Sequence, residues 1–125
     1  MKSKSFSISE RIKSFRYAWR GIVRLVRYEH NARIHLTIAL IAILLGFIFN
    51  IGALEWLSIA LSIGLVFAAE LFNSAIEKIC DLITLEKHPQ IKLIKDYSAG
   101  AVLVLAISAV VVGLIIFIPK VIILF

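Results

Sequence analysis

The 125-residue chain is 61% hydrophobic and carries a formal charge of +6, from fourteen Lys and Arg against eight Asp and Glu. So apolar a composition excludes an ordinary water-soluble domain. The charge does not mark a nucleic-acid binder, because nine of the fourteen basic residues precede residue 36, directly ahead of the first long apolar run, where anionic lipid headgroups are the expected partner.

The first element is an amphipathic helix over residues 9–28. Ile12, Phe15, Trp19, Ile22, Val23 and Val26 recur at helical spacing and cover an arc of about 100°. Lys13, Arg16, Arg20, Arg24 and Arg27 occupy the neighbouring arc, so the helix lies in the interface with basic side chains reaching toward phosphates. Ser9 is the expected cap, with Glu10 in the first turn. The segment lacks the compact apolar core and cleavage site of a signal peptide, so it is expected to stay on the chain.

Three stretches follow, each near the ~20 residues that a helix needs to cross ~30 Å of hydrocarbon: residues 34–51, 53–72 and 97–118. The fold class is therefore an all-α membrane protein, a single membrane domain over 1–125 with an interfacial helix and three spans. The second helix is expected to continue into the cytosol to about residue 85. Basic residues before the first span, and Lys87, Lys92 and Lys95 in the second connection, put the N-terminus and that connection inside the cell. The connection around Asn50 and the C-terminus, with Lys120 alone, then lie outside. Gly52, Ala53, Ala60 and Gly64 are small enough to let another helix approach closely.

Glu70, Asn73, Glu77 and Asp81 fall within an arc of roughly 80° and extend about 16 Å along the second span. A carboxylate at the depth of Glu70 costs a few kcal/mol on insertion scales, so it faces the protein interior and has a partner or a task. Glu29 stands before the first span and Lys95-Asp96 before the third. Only Glu10, Glu55 and Glu86 lie outside this internal-side acidic cluster. Grouped carboxylates without clustered His or Cys suit a hard cation, and Mg²⁺ combines one or two carboxylates with substrate phosphates, which points to ATP. There is no P-loop or kinase-type glycine motif, so any nucleotide must be held by metal, Lys and Arg. His30, His35 and His88 are too dispersed for zinc, and the lone Cys80 reads as a small buried residue.

The run ELFNSAIEKICD closely resembles the signature of the prokaryotic diacylglycerol kinase and undecaprenol kinase family, Glu-x-hydrophobic-Asn-Ser/Thr-Ala/Ser-hydrophobic-Glu-x-x-hydrophobic-Asp. Chain length, the basic helix, the three spans, the acidic residue before the first and the Lys-Asp before the third fit as well. The resemblance implies a bacterial cytoplasmic-membrane lipid kinase, working as a homotrimer whose active sites draw residues from neighbouring subunits. It implies Glu70 as general base toward the lipid hydroxyl, Asn73 as the residue orienting the reacting groups, and Glu29 and Glu77 as ligands of the Mg²⁺ that accompanies ATP. Lys95 would contact phosphate, with Asp81, Asp96 and Tyr17 near the nucleotide and Ser74 and Ala99 near the lipid. Asn31, Arg33 and His35 look more like the undecaprenol kinase branch, as does Ala99 where the diacylglycerol branch usually has Ser; Cys80 replaces a more usual Val or Ile. The expected acceptor is thus undecaprenol ahead of diacylglycerol. Two alternatives remain open on residues alone. One is an oligomeric ion or proton pathway, although that would need polar residues along whole spans. The other is a structural anchor whose carboxylates only pair with the basic helix.

Overall fold

In this computed structural model, residues 5–125 are described, and they form four helices: α1 (Ile8–Tyr28), α2 (His30–Ile48), α3 (Ala53–Ile83) and α4 (Pro89–Leu124). Their starts follow local chemistry. Ser7 has an extended backbone, and its hydroxyl accepts a hydrogen bond from the Glu10 amide at 3.4 Å. The cap is therefore Ser7 instead of Ser9, because Ser-x-x-Glu is the spacing at which a cap hydroxyl reaches the third helical amide. Glu29 alone separates α1 from α2. Its φ of −104° and ψ of 119° break the helical path, while its amide still donates to the Leu25 carbonyl at 2.9 Å.

The turn into α3 depends on Asn50, whose φ of 51° lies in the left-handed region that Asn tolerates better than branched residues. The Ile51 amide donates to the Gly46 carbonyl across this turn, and the Gly52 amide donates to Glu55 Oε1 at 3.1 Å. α4 begins eight residues before the expected span. His88 Nδ1 accepts from the Gln90 amide at 3.1 Å, and Pro89 occupies the first helical position, where its missing N–H costs nothing. The second connection therefore shortens to five residues, and the segment 89–96 supplies the first turns of a helix.

α2, α3 and α4 are each long and apolar enough to cross a membrane. At 1.5 Å per residue the 31 residues of α3 run about 46 Å, more than the ~30 Å of hydrocarbon, so the helix projects beyond it. α3 and α4 form the main antiparallel pair. Near the α2–α3 turn, Ile51, Ile59 and Ile116 are buried together, with Phe49, Trp56 and Phe117 against them. Gly46 is required here: a Cβ at this position would lie 2.6 Å from the Trp56 ring. The small residues Ala53, Ala60 and Gly64 face outward, and a Cβ on Gly64 would meet nothing within 4 Å.

Two ion pairs clip α3 to α4: Lys120 Nζ to Glu55 Oε2 at 2.8 Å, and Lys95 Nζ to Asp81 Oδ1 at 2.9 Å. From Glu55 to Asp81 is about 39 Å of helix, close to the full thickness of a bilayer with its headgroups. α1 meets the bundle through buried Leu25, near the fully buried Ala32 of α2, while Ile12, Phe15 and Trp19 remain exposed. Such a stripe, free of the protein's own core, is available to the membrane interface.

Candidate functional site at the inner end of α3

Glu70 lies on the inward face of α3 and is only 2% exposed. Its Oε1 is 3.2 Å from His35 Nε2 on α2, a pair that is ionic only when the imidazole is protonated. The approach is off-line for a hydrogen bond, and Glu70 Oε1 has no hydrogen-bond partner among the described residues. One turn further on, Asn73 Oδ1 is likewise buried without a donor. An unsatisfied buried acceptor costs roughly 1–3 kcal/mol, so two side by side are a strained feature that an incoming donor relieves.

The other carboxylates surround this point. Glu29, at the α1–α2 break, and Glu77, two turns along α3, are both close enough for their charges to repel that of Glu70. Both are half-buried. Lys95, on the first turns of α4, pairs with Asp81 and also feels the charge of Glu77. Glu29, Glu70, Asn73, Glu77, Asp81 and Lys95 thus form one polar strip on two helices and a break.

The remaining expected residues are placed differently. Ser74 is half-buried beside Asn73, and Ala99 is exposed on α4. Asp96 turns to Lys92 at 2.6 Å, an exposed i,i+4 pair. Tyr17 is 62% exposed on α1, with the Arg20 guanidinium 5.9 Å from its ring centroid, and it is not brought against the carboxylates. Beside Lys95, Lys87 and Lys92 line a cleft at the α3–α4 connection together with Glu86 and His88.

A groove of about 270 Å³ runs between α2, α3 and α4 from His35 at its inner end to Phe117 at its outer end. Of its lining side chains only His35 and Ser62 carry polar atoms. His35 therefore belongs to two features at once, the inner end of an apolar groove and the contact with Glu70. Sequence reasoning weighed His35 as a zinc ligand and used it as a branch marker, and no spacing rule would have paired it with a residue 35 positions later.

An apolar groove that ends at His35 against the buried Glu70 carboxylate, on helices long and apolar enough to cross a membrane, is the arrangement of a membrane protein with a polar cluster at one end of its helices. The comparisons agree with that class. The family model for prokaryotic diacylglycerol kinase matches residues 16–117, and the chain belongs to that family. It is 44% identical to an undecaprenol kinase of Bacillus subtilis over 86% of this chain and 88% of the relative. A diacylglycerol kinase of Synechocystis is 38% identical over 80% of this chain and 58% of its own length. One from Escherichia coli K12 is 29% identical over 89% of this chain and 91% of its own.

Proposed function

We propose that the protein is a lipid kinase that transfers the γ-phosphate of ATP to the hydroxyl of a membrane lipid alcohol, undecaprenol in preference to diacylglycerol. The observation that carries this reading is the buried, donor-less Glu70 Oε1, 3.2 Å from the His35 ring that forms the inner end of an apolar groove, with Asn73 Oδ1 one turn further along α3. A lipid hydroxyl supplies the missing donor. The groove has no polar lining near its middle or outer parts except Ser62, which suits a hydrocarbon chain continuing up to the hydroxyl more closely than the ester carbonyls of diacylglycerol. The 44% identical undecaprenol kinase supports the same choice.

In the reaction, Glu70 takes the proton of the lipid hydroxyl as its oxygen bonds to the γ-phosphorus, and the bond from that phosphorus to the β-bridging oxygen breaks to release ADP. Asn73 holds the hydroxyl in line. Lys95 gathers the phosphates, with Lys87 and Lys92 lining the cleft beside it. Lys95 must exchange Asp81 for phosphate in doing so. Among the described residues no three His, Cys, Asp or Glu side chains form a ready-made metal cage. Two carboxylates, Glu29 and Glu77, both near Glu70 and with Glu77 also near Lys95, fit Mg²⁺, which keeps waters and substrate oxygens among its ligands. When bound there, Mg²⁺ would neutralise the charge on the transferring phosphate.

The basic bias before the first span supports an orientation with α1 and the site on the cytoplasmic side. Three spans bury few of their own apolar side chains, and Ala60 and Gly64 face outward, which supports assembly as a homotrimer. The test is transfer of labelled γ-phosphate from MgATP in mixed micelles holding undecaprenol or diacylglycerol, with Glu70→Gln alongside. Label in undecaprenol that disappears in the variant is expected. Label confined to diacylglycerol overturns the acceptor, and no label in either lipid from folded protein overturns the kinase reading.

A further inference from the structure

The kinase reading gives Glu70 a task and leaves the side chain touching it without one. Glu70 is faced by four groups from three elements: His35 from α2, Glu29 from the α1–α2 break, and Glu77 and Asn73 from its own helix. Two are carboxylates, which repel it. Asn73, one turn along the same helix, has a buried side-chain oxygen with no partner among the described residues. His35 is the group from another helix that brings a ring nitrogen to the Glu70 carboxylate, at 3.2 Å.

The imidazole is also fixed in depth. It is about one-fifth exposed, on a helix anchored by fully buried Ala32 one turn before it and by buried Ala39 one turn after it. Its ring closes the inner end of the apolar groove. A hydrocarbon chain in that groove therefore brings its terminal hydroxyl to the His35 ring, whose Nε2 is 3.2 Å from Glu70 Oε1. At 3.2 Å the two atoms are within hydrogen-bond distance, and such bonds are commonly loose until substrate is present.

We propose that His35 is a positioning residue for the phosphoryl transfer: its Nε2–H holds one oxygen of Glu70 so that the carboxylate faces the hydroxyl arriving from the groove. This inference rests on the kinase reading and adds to it a requirement at a position outside the acidic signature. His35 acts through Glu70 and the groove, with no part in ATP binding. Its loss should therefore lower turnover and leave the KM for MgATP unchanged.

The experiment compares native protein with His35→Leu, His35→Gln and His35→Asn in mixed micelles containing undecaprenol. Oligomer size and thermal stability are measured on the same samples. His35→Leu, which keeps bulk and loses the donor, should reduce kcat about 100-fold, the size expected when a reacting group is misplaced by about 1 Å. His35→Gln, whose amide reaches similarly far and donates, should recover most of that loss, and the shorter His35→Asn should recover less. The native pH–rate profile should contain one ionisation that the His35→Gln profile lacks. A purely structural role would lower thermal stability across the variants and move neither the profile nor the Leu-to-Gln ranking. Full native kcat and an unchanged pH profile in both Leu and Gln variants would overturn the proposal while leaving the kinase reading intact. Absence of transfer by the native protein itself would instead strike at the kinase reading, so the two failures are distinguishable.

Discussion

The α3–α4 pair carries an acidic residue and a lysine at each end, and the two ends use them in opposite ways. At the outer end Glu55 is occupied twice: one oxygen accepts from the Gly52 amide and the other from Lys120. The adjoining side chains, Ile51, Ile59, Ile116, Trp56 and Phe117, are packed together. At the inner end Lys95 clips Asp81 in a more exposed pair, and among the described residues the nearby Glu29, Glu70 and Glu77 have no lysine or arginine paired with them. One turn of α3 there leaves two buried oxygens without donors. The outer end is closed by satisfied polar groups, whereas the inner end retains buried acceptors without donors among the described residues. Breaking the first should reduce stability and breaking the second should reduce activity.

The largest effect that separates them is at Glu70. Glu70→Gln keeps the shape and removes the base, so transfer should fall by roughly 10²–10⁴-fold. Thermal stability should hold or rise, because a buried carboxylate among like charges is removed. Loss of stability in step with activity would place Glu70 among the structural carboxylates and cancel the contrast between the ends.

Glu77→Gln is expected next in size. If Glu77 is a metal contact, the Mg²⁺ concentration for half-maximal rate should rise roughly ten- to a hundredfold, and high Mg²⁺ should restore part of the activity. A Mg²⁺ titration identical to the native curve would remove Glu77 from that role. At the opposite end, Gly46→Ala should lower stability by about 1–3 kcal/mol through the clash with Trp56, while activity per folded oligomer is retained. Thermal unfolding in detergent reads this directly.

The acidic strip of this architecture is legible in the sequence because helical periodicity is local: Glu70, Asn73, Glu77 and Asp81 share a face whatever else the chain does. The three apolar runs are legible for the same reason, since crossing a bilayer requires length and apolarity alone. Contacts between helices leave no such trace. His35 with Glu70 and Lys120 with Glu55 depend on how the helices rotate and slide on one another, and both pairings were missed. The outward placement of Ala60 and Gly64, and the need for Gly46 under Trp56, are consequences of that same rotation. The Ser7 cap was available from its Ser-x-x-Glu spacing, but Ser9 stands close enough to Glu10 to compete in a reading by residue type.

The smallest effects give the sharpest comparison of the ends, because they come from the same substitution. Lys120→Met and Lys95→Met each remove one ammonium that clips α4 to α3 while preserving the aliphatic stem. Lys120 is about a quarter exposed and its partner Glu55 about a third. Its loss leaves Glu55 in a partly apolar setting, so the melting temperature should drop modestly with kcat and KM intact. Lys95 and Asp81 are more open to solvent, and exposed pairs contribute little to stability. Lys95→Met should therefore barely move the melting temperature and should raise the KM for MgATP. Equal melting losses with unaltered KM in both variants would mean that the inner lysine is only a clip, and phosphate binding would then fall to Lys87 and Lys92 in the adjoining cleft. A KM effect at Lys95 alone would instead identify its bond to Asp81 as the resting state of a phosphate-binding side chain, the one place where the closed outer end and the open inner end share a design.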